Sequence, residues 1–509
     1  MQRAGGTFAD EAMAESTQDV NDGFSLGPFY THDDVSTIVG TDRWIGTERF
    51  TIEQKGKLRN IDSATASMIN PATSITEQLD IASTDGNIAM IRRLKSAMPF
   101  TKILGWVLDE KNAYRWIPIK PEQRRYAVIC VYDKARSSIA YFVMIGHPFG
   151  MRSAVYNYNR RSLILNTILR KEFDVLSSFY YDDKFAFEPE GACDSSYLAA
   201  VLLRKWVGTI FNQKKMTMGT NPIILGVHYN LDDQLVSITE ERKKSILSSI
   251  QDILQSGRLG SGQAGKLKGK LSFASMQLWG KVGRAFLRCL SERQYSSAPI
   301  DSINVAIGLA LREWTWLTIS GTPRPIQCVS DSPADVVIFT DEYFPNPMLG
   351  ETGQARVGGV IFDRCRSKPM VFSLPITDSM MSNWIQRKTQ ISMIELFAPV
   401  LAMEFLSTSI VGRSALFLID SESVEGALIK GYSAMSDICE LVGIFWRMAD
   451  IRSVTIYVDR VSTDANIADG PSRNDPRFWF TVHDLGWHVF DTWILDYLGS
   501  DSSFKGLGS

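Results

Sequence analysis

Two adjacent carboxylates, Asp182 and Asp183, constrain the fold of this 509-residue chain more than any other feature. They lie between two apolar stretches within residues 175–187, a pattern that predicts a β-hairpin with both acids at its tip. Neighbouring carboxylates repel each other, so this placement becomes favourable when a divalent cation lies between them. A third acid is available upstream, because Asp109 follows the apolar run at 103–108 and should end a strand. The three acids together predict a site for divalent cations.

The net charge of −2 conceals a basic middle between two acidic ends. Residues 51–320 contain 36 Lys and Arg against 24 Asp and Glu, whereas residues 321–509 contain 15 against 23. The stretch 257–291 has seven basic residues and no acid, and its interleaved aromatic and aliphatic residues predict two helices with one core face and one cationic face. A basic surface suits binding to a phosphate backbone, although an ordinary solvated surface explains the same charge.

The cysteines and the apolar runs indicate the compartment. The six cysteines are far apart and form no C-x-x-C pair, which argues against structural zinc and a disulfide framework and favours a reducing environment. No apolar run approaches the roughly 20 residues that a membrane-spanning helix needs. The N-terminus lacks the basic region and apolar stretch of a secretory signal. These features predict an intracellular protein of the cytoplasm or nucleus without a membrane partner.

Composition and periodicity divide the chain into five segments. They are an acidic, flexible leader (1–47), a segment of short strands and helices (48–240), a mainly helical segment (241–330), a mixed α/β segment (331–475) and a Trp-containing tail (476–509). Within the α/β segment, strands are predicted at 336–341, 358–363, 416–420 and 454–458, and helices at 391–406, 422–430 and 433–447. Strands that alternate with helices in this way predict a mixed α/β sheet.

The α/β segment carries a second set of acids. Its members are Asp341, Glu395, Asp420 and Asp469. The first and third end apolar predicted strands, and the second lies on a predicted helix that packs on them. Asp459 and Asp464 remain alternatives to Asp469 for the fourth position, which the Asn-Ile-Ala-Asp sequence context favours. Four acids of this kind predict a second site for two divalent cations.

Short motifs occur in a fixed order along the first half of the chain. They are Lys55 to Asp62, Asp109 with Tyr114, Pro148-Phe149-Gly150, Tyr180-Tyr181-Asp182-Asp183, Lys214-Lys215 and Ile224-Leu225-Gly226. Over roughly residues 50–295 this ordered set resembles the reverse transcriptases of retrotransposons, most closely the DIRS-like and related long-terminal-repeat kinds. The later four acids resemble those of the ribonuclease H domain that follows reverse transcriptase in such elements. The resemblance implies an α+β right-hand polymerase with fingers, palm and thumb, followed by a mixed α/β ribonuclease H-like domain.

The resemblance also assigns roles to single residues. Asp109, Asp182 and Asp183 would hold two Mg²⁺ for nucleotidyl transfer, and the later four acids would hold two Mg²⁺ for RNA hydrolysis.

Five further residues would bind substrate, and a structural role is open for all of them except Gly150. Lys57 and Arg59 would clamp the incoming triphosphate, or they lie on a solvated strand edge. Tyr114 would clash with a ribose 2′-hydroxyl, or it is a core tyrosine. Gly150 would let the backbone approach the template–primer. Lys215, or the lysine before it, would assist the leaving pyrophosphate, and a surface lysine is as plausible.

The sequence therefore predicts an RNA-directed DNA polymerase with a fused ribonuclease H from a retroelement. Its partners would be an RNA template, a DNA primer, an RNA–DNA hybrid and deoxynucleoside triphosphates. Two alternatives stay open. One is a catalytically inactive, domesticated remnant that binds nucleic acid, and the presence of all seven acids argues against it. The other is an RNA-directed RNA polymerase, which Tyr114 and the later acids disfavour.

Overall fold

A computed structural model describes residues 8–54, 56–79, 81–326, 334–345, 353–382, 384–387 and 389–475, so the predicted tail at 476–509 lies outside the described residues. The helices are α1 (Ala9–Asn21), α2 (His32–Val39), α3 (Ile69–Ala72), α4 (Thr84–Ala97), α5 (Arg152–Glu172), α6 (Glu190–Trp206), α7 (Glu240–Ser256), α8 (Ser261–Ser275), α9 (Arg288–Tyr295), α10 (Val305–Ser320), α11 (Asp378–Met381), α12 (Ile391–Leu406), α13 (Glu422–Lys430), α14 (Ser436–Ile451) and α15 (Asp469–Ser472).

The strands are β1 (Ser25–Phe29), β2 (Gly46–Gln54), β3 (Lys57–Asp62), β4 (Ile103–Asp109), β5 (Val128–Asp133), β6 (Ser138–Met144), β7 (Ser177–Tyr180), β8 (Asp183–Pro189), β9 (Thr217–Gly219), β10 (Ile223–Ile224), β11 (Val227–Asn230), β12 (Leu235–Ile238), β13 (Arg324–Pro325), β14 (Val336–Tyr343), β15 (Arg356–Asp363), β16 (Met370–Pro375), β17 (Ser414–Ile419) and β18 (Thr455–Arg460). The chain forms two compact units. One contains the residues up to 225 together with 229–233, and the other contains 226–228 and the residues from 234 onward.

The first unit contains a five-stranded sheet in the order β1-β6-β5-β2-β3. Apolar residues of β5 and β6 alternate toward a core that includes Ile129, Val131 and Phe142, and Ala12 of α1 is buried in the same core. Strand β1 therefore belongs to this sheet, and helix α1 packs against it.

The predicted flexible leader at 1–47 is wrong over its described residues. Asp19 of α1 forms ion pairs with Arg49 at 2.9 Å and with Arg115 at 3.1 Å, and both arginines are almost fully buried. Asp62 lies 2.7 Å from the Arg49 guanidinium and completes the cluster. Buried charges require partners, so the acid-rich sequence that suggested a solvated leader instead supplies the counter-charge for two buried arginines.

The first unit also contains a four-stranded antiparallel sheet in the order β7-β8-β4-β9. Strand β4 is apolar on both faces, and Trp106 and Leu108 are fully buried. Helices α5 and α6 cover one face through residues such as Leu165, Leu169 and Ala200. This packing fixes β4 and β8, the two strands that carry acids at their ends.

The second unit begins with a helical part. Ile246, Ile250 and Ile253 recur at helical spacing on α7 and are buried against α8 and α10, so the predicted helix near 240–254 is confirmed. On α8 the apolar face is buried, whereas Lys266 and Lys270 are exposed. A basic, solvent-facing side of this helix is thus present as predicted.

A five-stranded mixed sheet in the order β16-β15-β14-β17-β18 completes the second unit. Strands β14, β15 and β16 are antiparallel, whereas β14, β17 and β18 run parallel. The predicted strands and helices of this segment are all present, and β16 was not predicted. Trp279 of the helical part donates its indole N–H to the Val454 carbonyl at 2.9 Å, which joins the helices to the sheet.

Helix α12 with the 3₁₀ turn after it, Ile391–Ile410, is long and apolar enough to cross a membrane by length and composition alone. The prediction that the chain has no apolar run of this length is therefore wrong. Of its most apolar stretch, 67 % is buried inside the protein. A helix that is hydrophobic all round is expected at the centre of a core, and α12 packs there against β14 and β15.

Candidate active sites

The first candidate site lies at the tip of the β7–β8 hairpin. The two strands pair in a register that places Tyr180 opposite Asp183 and leaves Tyr181 and Asp182 in the turn. The φ of Tyr181 is 51°, in the left-handed region that tight turns use. Strand β8 also pairs with β4, and here Asp183 lies directly opposite Asp109. Directly opposed residues of an antiparallel pair project from the same face, so these two carboxylates share one side of the sheet.

Lys215 brings a positive charge to this tip. Its Nζ lies 2.7 Å from Oδ2 of Asp109. The pKa of Asp183 is raised to about 6, first by burial and then by the nearby charges of Asp182 and Asp109. The three acids and the lysine therefore form one electrostatic cluster. The oxygens of the three acids do not all lie within 4.8 Å of one another, whereas oxygens of Asp341, Glu342 and Asp420 in the second candidate site do.

Tyr114 lies beside the hairpin, in a 3₁₀ turn, Ala113–Trp116, that follows β4. Its ring packs edge-on against Phe149 and Tyr158, with centroid distances of 5.4 and 5.2 Å. Burial, with a contribution from the charge of Asp182, raises the pKa of Tyr114 to about 12. The ring is thus half-buried, and it lies close enough to the turn for the charge of Asp182 to raise the pKa of its hydroxyl.

Three other predicted substrate residues lie on or beside β3. Gly150 has a φ of 100°, and a Cβ there would lie 2.3 Å from the Asp62 carbonyl oxygen. Its carbonyl also accepts a hydrogen bond from Asn70 at 2.8 Å, so close packing on β3 explains the glycine without a ligand. Arg59 is exposed on β3. Lys57 begins β3, and its side chain lies outside the described residues.

A buried ionic cluster behind the hairpin was not predicted from the sequence. The Glu110 carboxylate accepts a hydrogen bond from the Tyr158 hydroxyl at 2.8 Å and pairs with Arg161 at 3.0 Å and Arg204 at 3.4 Å. Burial acts to raise the pKa of Glu110, but the charges of Lys184 and Arg204 outweigh it and lower that pKa. The Glu110 carboxylate is therefore engaged by Tyr158, Arg161 and Arg204.

Lys184 connects this ionic cluster to the turn. The residue is fully buried, and its Nζ donates hydrogen bonds to the Tyr158 hydroxyl, at 3.1 Å, and to the Tyr181 carbonyl. The ammonium also lies over the rings of Tyr158 and Phe179. Burial lowers the pKa of Lys184 to about 7. The turn that carries Asp182 is thus fixed by the buried Lys184, which donates a hydrogen bond to the carbonyl oxygen of Tyr181.

The second candidate site lies at the carboxyl ends of β14 and β17. These strands are parallel, with Phe339 opposite Leu418. Continuing this register by two residues brings Asp341, within β14, beside Asp420, which follows β17. Helix α12 packs on β14 and carries Glu395, which is 3 % exposed. The fold therefore brings together acids from two strands and one helix.

Two polar side chains hold Asp341 in place, and sequence reasoning missed both. Asn466 donates to Oδ1 at 3.2 Å, and the Ser472 hydroxyl donates to Oδ2 at 2.6 Å. Gly358 lies opposite Asp341 in the sheet, and a Cβ there would lie 2.2 Å from the Ser472 nitrogen. The absence of a side chain at 358 thus lets α15 approach the sheet. The signal available in the sequence was the position of Asn466 and Ser472 on either side of Asp469.

Five acids are crowded at this site. Burial, with the charges of Asp420 and Asp469, raises the pKa of Asp341 to about 7. Burial raises the pKa of Glu395 to about 8 and that of Glu342 to about 9, and the neighbouring carboxylates add to both shifts. Carboxylate oxygens of Asp341, Glu342 and Asp420 lie within 4.8 Å of one another, so these three residues could hold a metal ion. Glu342 was not among the acids predicted from the sequence.

The donor set fits a hard divalent cation. Oε1 of Glu395 is buried and has no hydrogen-bond partner among the described residues. A buried carboxylate oxygen without a partner is unfavourable. Carboxylate oxygens are the ligands preferred by Mg²⁺ and Mn²⁺. A cation at this position would offset both the missing partner and the repulsion among the acids.

Asp469 lies at the start of α15, where its Oδ1 accepts a hydrogen bond from Arg473 at 2.7 Å. Its charge raises the pKa of Asp341. Asp459 and Asp464 are exposed and are not among the charges that act most strongly on that pKa. Asp469 therefore acts more strongly on Asp341 than either alternative does.

No protein-family model and no curated protein matches this chain. Among solved structures, a foamy viral protease-reverse transcriptase, in its dRH form and in complex with double-stranded DNA, is 14 % identical; the match covers 89 % of this chain and 70 % of that one, with a TM-score of 0.51. A foamy viral protease-reverse transcriptase in complex with an RNA/DNA hybrid is also 14 % identical; the match covers 81 % of this chain and 50 % of that one, with a TM-score of 0.44. This chain thus spans half the length of the second protein. Its fold is similar to that of a foamy viral protease-reverse transcriptase.

Proposed function

We propose that this chain is an RNA-directed DNA polymerase with a fused ribonuclease H, of the kind encoded by DIRS-like and related long-terminal-repeat retroelements. The observation that carries the proposal is the presence of two separate carboxylate clusters at strand ends, one on β4 and β8 and the other on β14 and β17. The fold similarity to a foamy viral protease-reverse transcriptase supports it. Because that protein was solved with double-stranded DNA, a nucleic-acid duplex is the proposed ligand here as well.

In the polymerase reaction, Asp109, Asp182 and Asp183 would hold two Mg²⁺. When bound, Mg²⁺ lowers the pKa of the primer 3′-hydroxyl and neutralises charge on the leaving pyrophosphate. Lys215 pairs with Asp109 in this structure, and its ammonium would turn to the pyrophosphate once substrate binds. The Tyr114 ring, which lies beside the turn, would exclude a ribose 2′-hydroxyl by steric overlap.

The remaining substrate contacts would come from the fingers. Arg59, exposed on β3, and Lys57 at the start of that strand would bind the triphosphate oxygens. Gly150 would allow close passage of the template–primer, in addition to its packing on β3.

In the ribonuclease reaction, Asp341, Glu395, Asp420 and Asp469 would hold two Mg²⁺. When bound, Mg²⁺ activates a water that attacks the RNA strand of a hybrid. Before substrate arrives, the hydrogen bond from the Ser472 hydroxyl and that from Asn466 orient Asp341.

The domain assignment follows from the two proposed activities. Fingers and palm would span 48–240, thumb and connection 241–330, and the ribonuclease H-like domain 331–475. The exposed lysines of α8, within the basic stretch 257–291, would track the duplex backbone. The partners would be an RNA template, a DNA primer, their hybrid and deoxynucleoside triphosphates, in an intracellular compartment.

Primer extension on poly(rA)/oligo(dT) with dTTP and Mg²⁺ tests the polymerase. Purified protein should extend the primer, and Asp182→Asn should abolish extension because it removes charge that stabilises the transition state. Asp194→Asn is the matched control, since Asp194 is exposed on α6 and should leave extension unchanged. Extension by Asp182→Asn at the wild-type rate would refute the site. Wild-type protein that binds hybrid but neither extends nor cleaves would support the remnant alternative.

A further inference from the structure

Glu342 occupies an unusual position for a carboxylate. Side chains alternate between the two faces of a strand, so Glu342 belongs to the face of β14 that also carries Val336 and Ile338. Both of those residues are fully buried in the core beneath α12. Glu342 itself is partly buried, and a partly buried glutamate beside other acids is favourable only with a compensating partner.

The charges that act most strongly on Glu342 are negative. The groups that act most strongly on it are Glu395, Asp341 and Asp420. Its oxygen lies within 4.8 Å of oxygens of the latter two, although Asp341 is its direct neighbour and should project from the opposite face. The two side chains therefore converge at the strand end where Asp420 follows β17.

Glu395 gives a second, independent observation. Its side chain is almost fully buried, and Oε1 has no hydrogen-bond partner among the described residues. Glu395 is the carboxylate that acts most strongly on Glu342, and its side chain also interacts with Asp420 and Ser421, so Glu395 belongs to the same cluster. A buried, unpartnered acceptor beside three converging carboxylates is an arrangement that a cation would satisfy.

We propose that Glu342 is a direct ligand of a divalent cation, together with Asp341 and Asp420, and that this trio forms the tighter of the two cation positions in the α/β segment. This inference rests on the proposed two-metal site and adds to it a ligand outside the four acids assigned to ribonuclease chemistry. The unpartnered oxygen of Glu395 would face this position, and Asp469 would belong to the second cation position. Three carboxylates carry more negative charge than one divalent cation neutralises, so they attract a cation strongly. This position should therefore fill at a lower cation concentration than the other.

Cation binding, measured in the full chain, tests this assignment directly. Asp109→Asn and Asp182→Asn are combined in the parent protein, so that the first candidate site does not contribute. Free Mn²⁺ is followed by electron paramagnetic resonance during titration, and Mg²⁺ binding is followed by calorimetry.

In this parent, Glu342→Gln should raise the Kd of the tighter Mn²⁺ position by about tenfold or more, the range found when groups that support a metal site are removed. It should also reduce the rise in Tm that Mg²⁺ produces. Glu342→Asp keeps the charge on a shorter side chain and should give an intermediate Kd. Glu422→Gln is the matched control, because Glu422 is a nearby glutamate whose side chain is 84 % exposed, and its Kd should stay within about twofold of the parent.

Two results would overturn the assignment: Mn²⁺ affinity of Glu342→Gln within twofold of the parent, or no Mn²⁺ binding by the parent. Hybrid cleavage is measured separately on otherwise wild-type protein. Loss of Mn²⁺ binding in Glu342→Gln, combined with no hybrid cleavage by wild-type protein, would retain the cation site and reject the ribonuclease function.

Discussion

Replacing Glu110 by alanine should destabilise the first unit strongly, although Glu110 contacts no proposed substrate. The side chains of Glu110 and Arg204 are both 0 % exposed, and Arg161 and Tyr158 also bind the carboxylate. Glu110→Ala would leave Arg204 and Arg161 without their shared partner, and Arg204 lies where water does not reach. Removing one partner of a buried ion pair typically costs about 3–5 kcal/mol.

The corresponding fall in Tm is about 10 °C, because about 1 kcal/mol shifts the Tm of a unit of this size by roughly 2–4 °C. Differential scanning calorimetry should show the loss in one transition only, since the two compact units need not unfold together. Glu110→Gln keeps an acceptor for the Tyr158 hydroxyl and should cost less than alanine.

The control is Glu292→Ala, which removes a glutamate that pairs with Arg288 at 2.8 Å on the surface of α9. The Glu292 side chain is 60 % exposed, so its loss should cost less than about 1 kcal/mol. A Glu110→Ala variant no less stable than Glu292→Ala would refute the inference that the buried cluster supports the hairpin.

Three further substitutions give separate tests. Asp19→Asn should lower the free energy of unfolding by about 3 kcal/mol in denaturant titrations, because Arg49 and Arg115 lose their shared charged partner. An unchanged denaturation midpoint would instead support the prediction that residues 1–47 form a solvated leader. Tyr114→Ala should admit ribonucleotides in primer extension, and unchanged discrimination would leave Tyr114 a core residue. Burial raises the pKa of Glu188 from 4.5 to about 7, so its stabilising contribution is present below pH 4.5 and is lost as the pH rises through 7. Glu188→Gln should therefore match wild-type stability near pH 4 and exceed it by as much as about 3 kcal/mol above pH 7, and a difference independent of pH would contradict this.

Local sequence patterns predicted the elements that carry the acids. The apolar runs before Asp109 and around Asp182 and Asp183 gave a strand and a hairpin, because both depend on residues close in the chain. The leader could not be predicted in the same way. The burial of Asp19 depends on Arg49 and Arg115, which are distant in sequence, and no local pattern reports such a pairing.

Contacts between distant residues also limited the prediction of the second site. Strand ends predicted the positions of Asp341 and Asp420, but the hydrogen bond from Ser472 exists only because α15 packs on Gly358. Glu342 had a local signal, since adjacent acids at a strand end repel each other as Asp182 and Asp183 do. Alternation along β14 would place Glu342 on the opposite face, and only the three-dimensional structure shows that it converges with its neighbours.

The most direct test of two separate catalytic sites in one chain is a single reaction that reports both activities. A hybrid with labelled RNA and an extendable DNA primer is incubated with Mg²⁺ and deoxynucleoside triphosphates, and both strands are resolved by gel electrophoresis. Wild-type protein should extend the DNA and cut the RNA, Asp182→Asn should only cut, and Glu395→Gln should only extend. Loss of both activities in either variant, with the fold intact, or uncut RNA in both Mg²⁺ and Mn²⁺ from protein that extends primers, would contradict the two-site assignment.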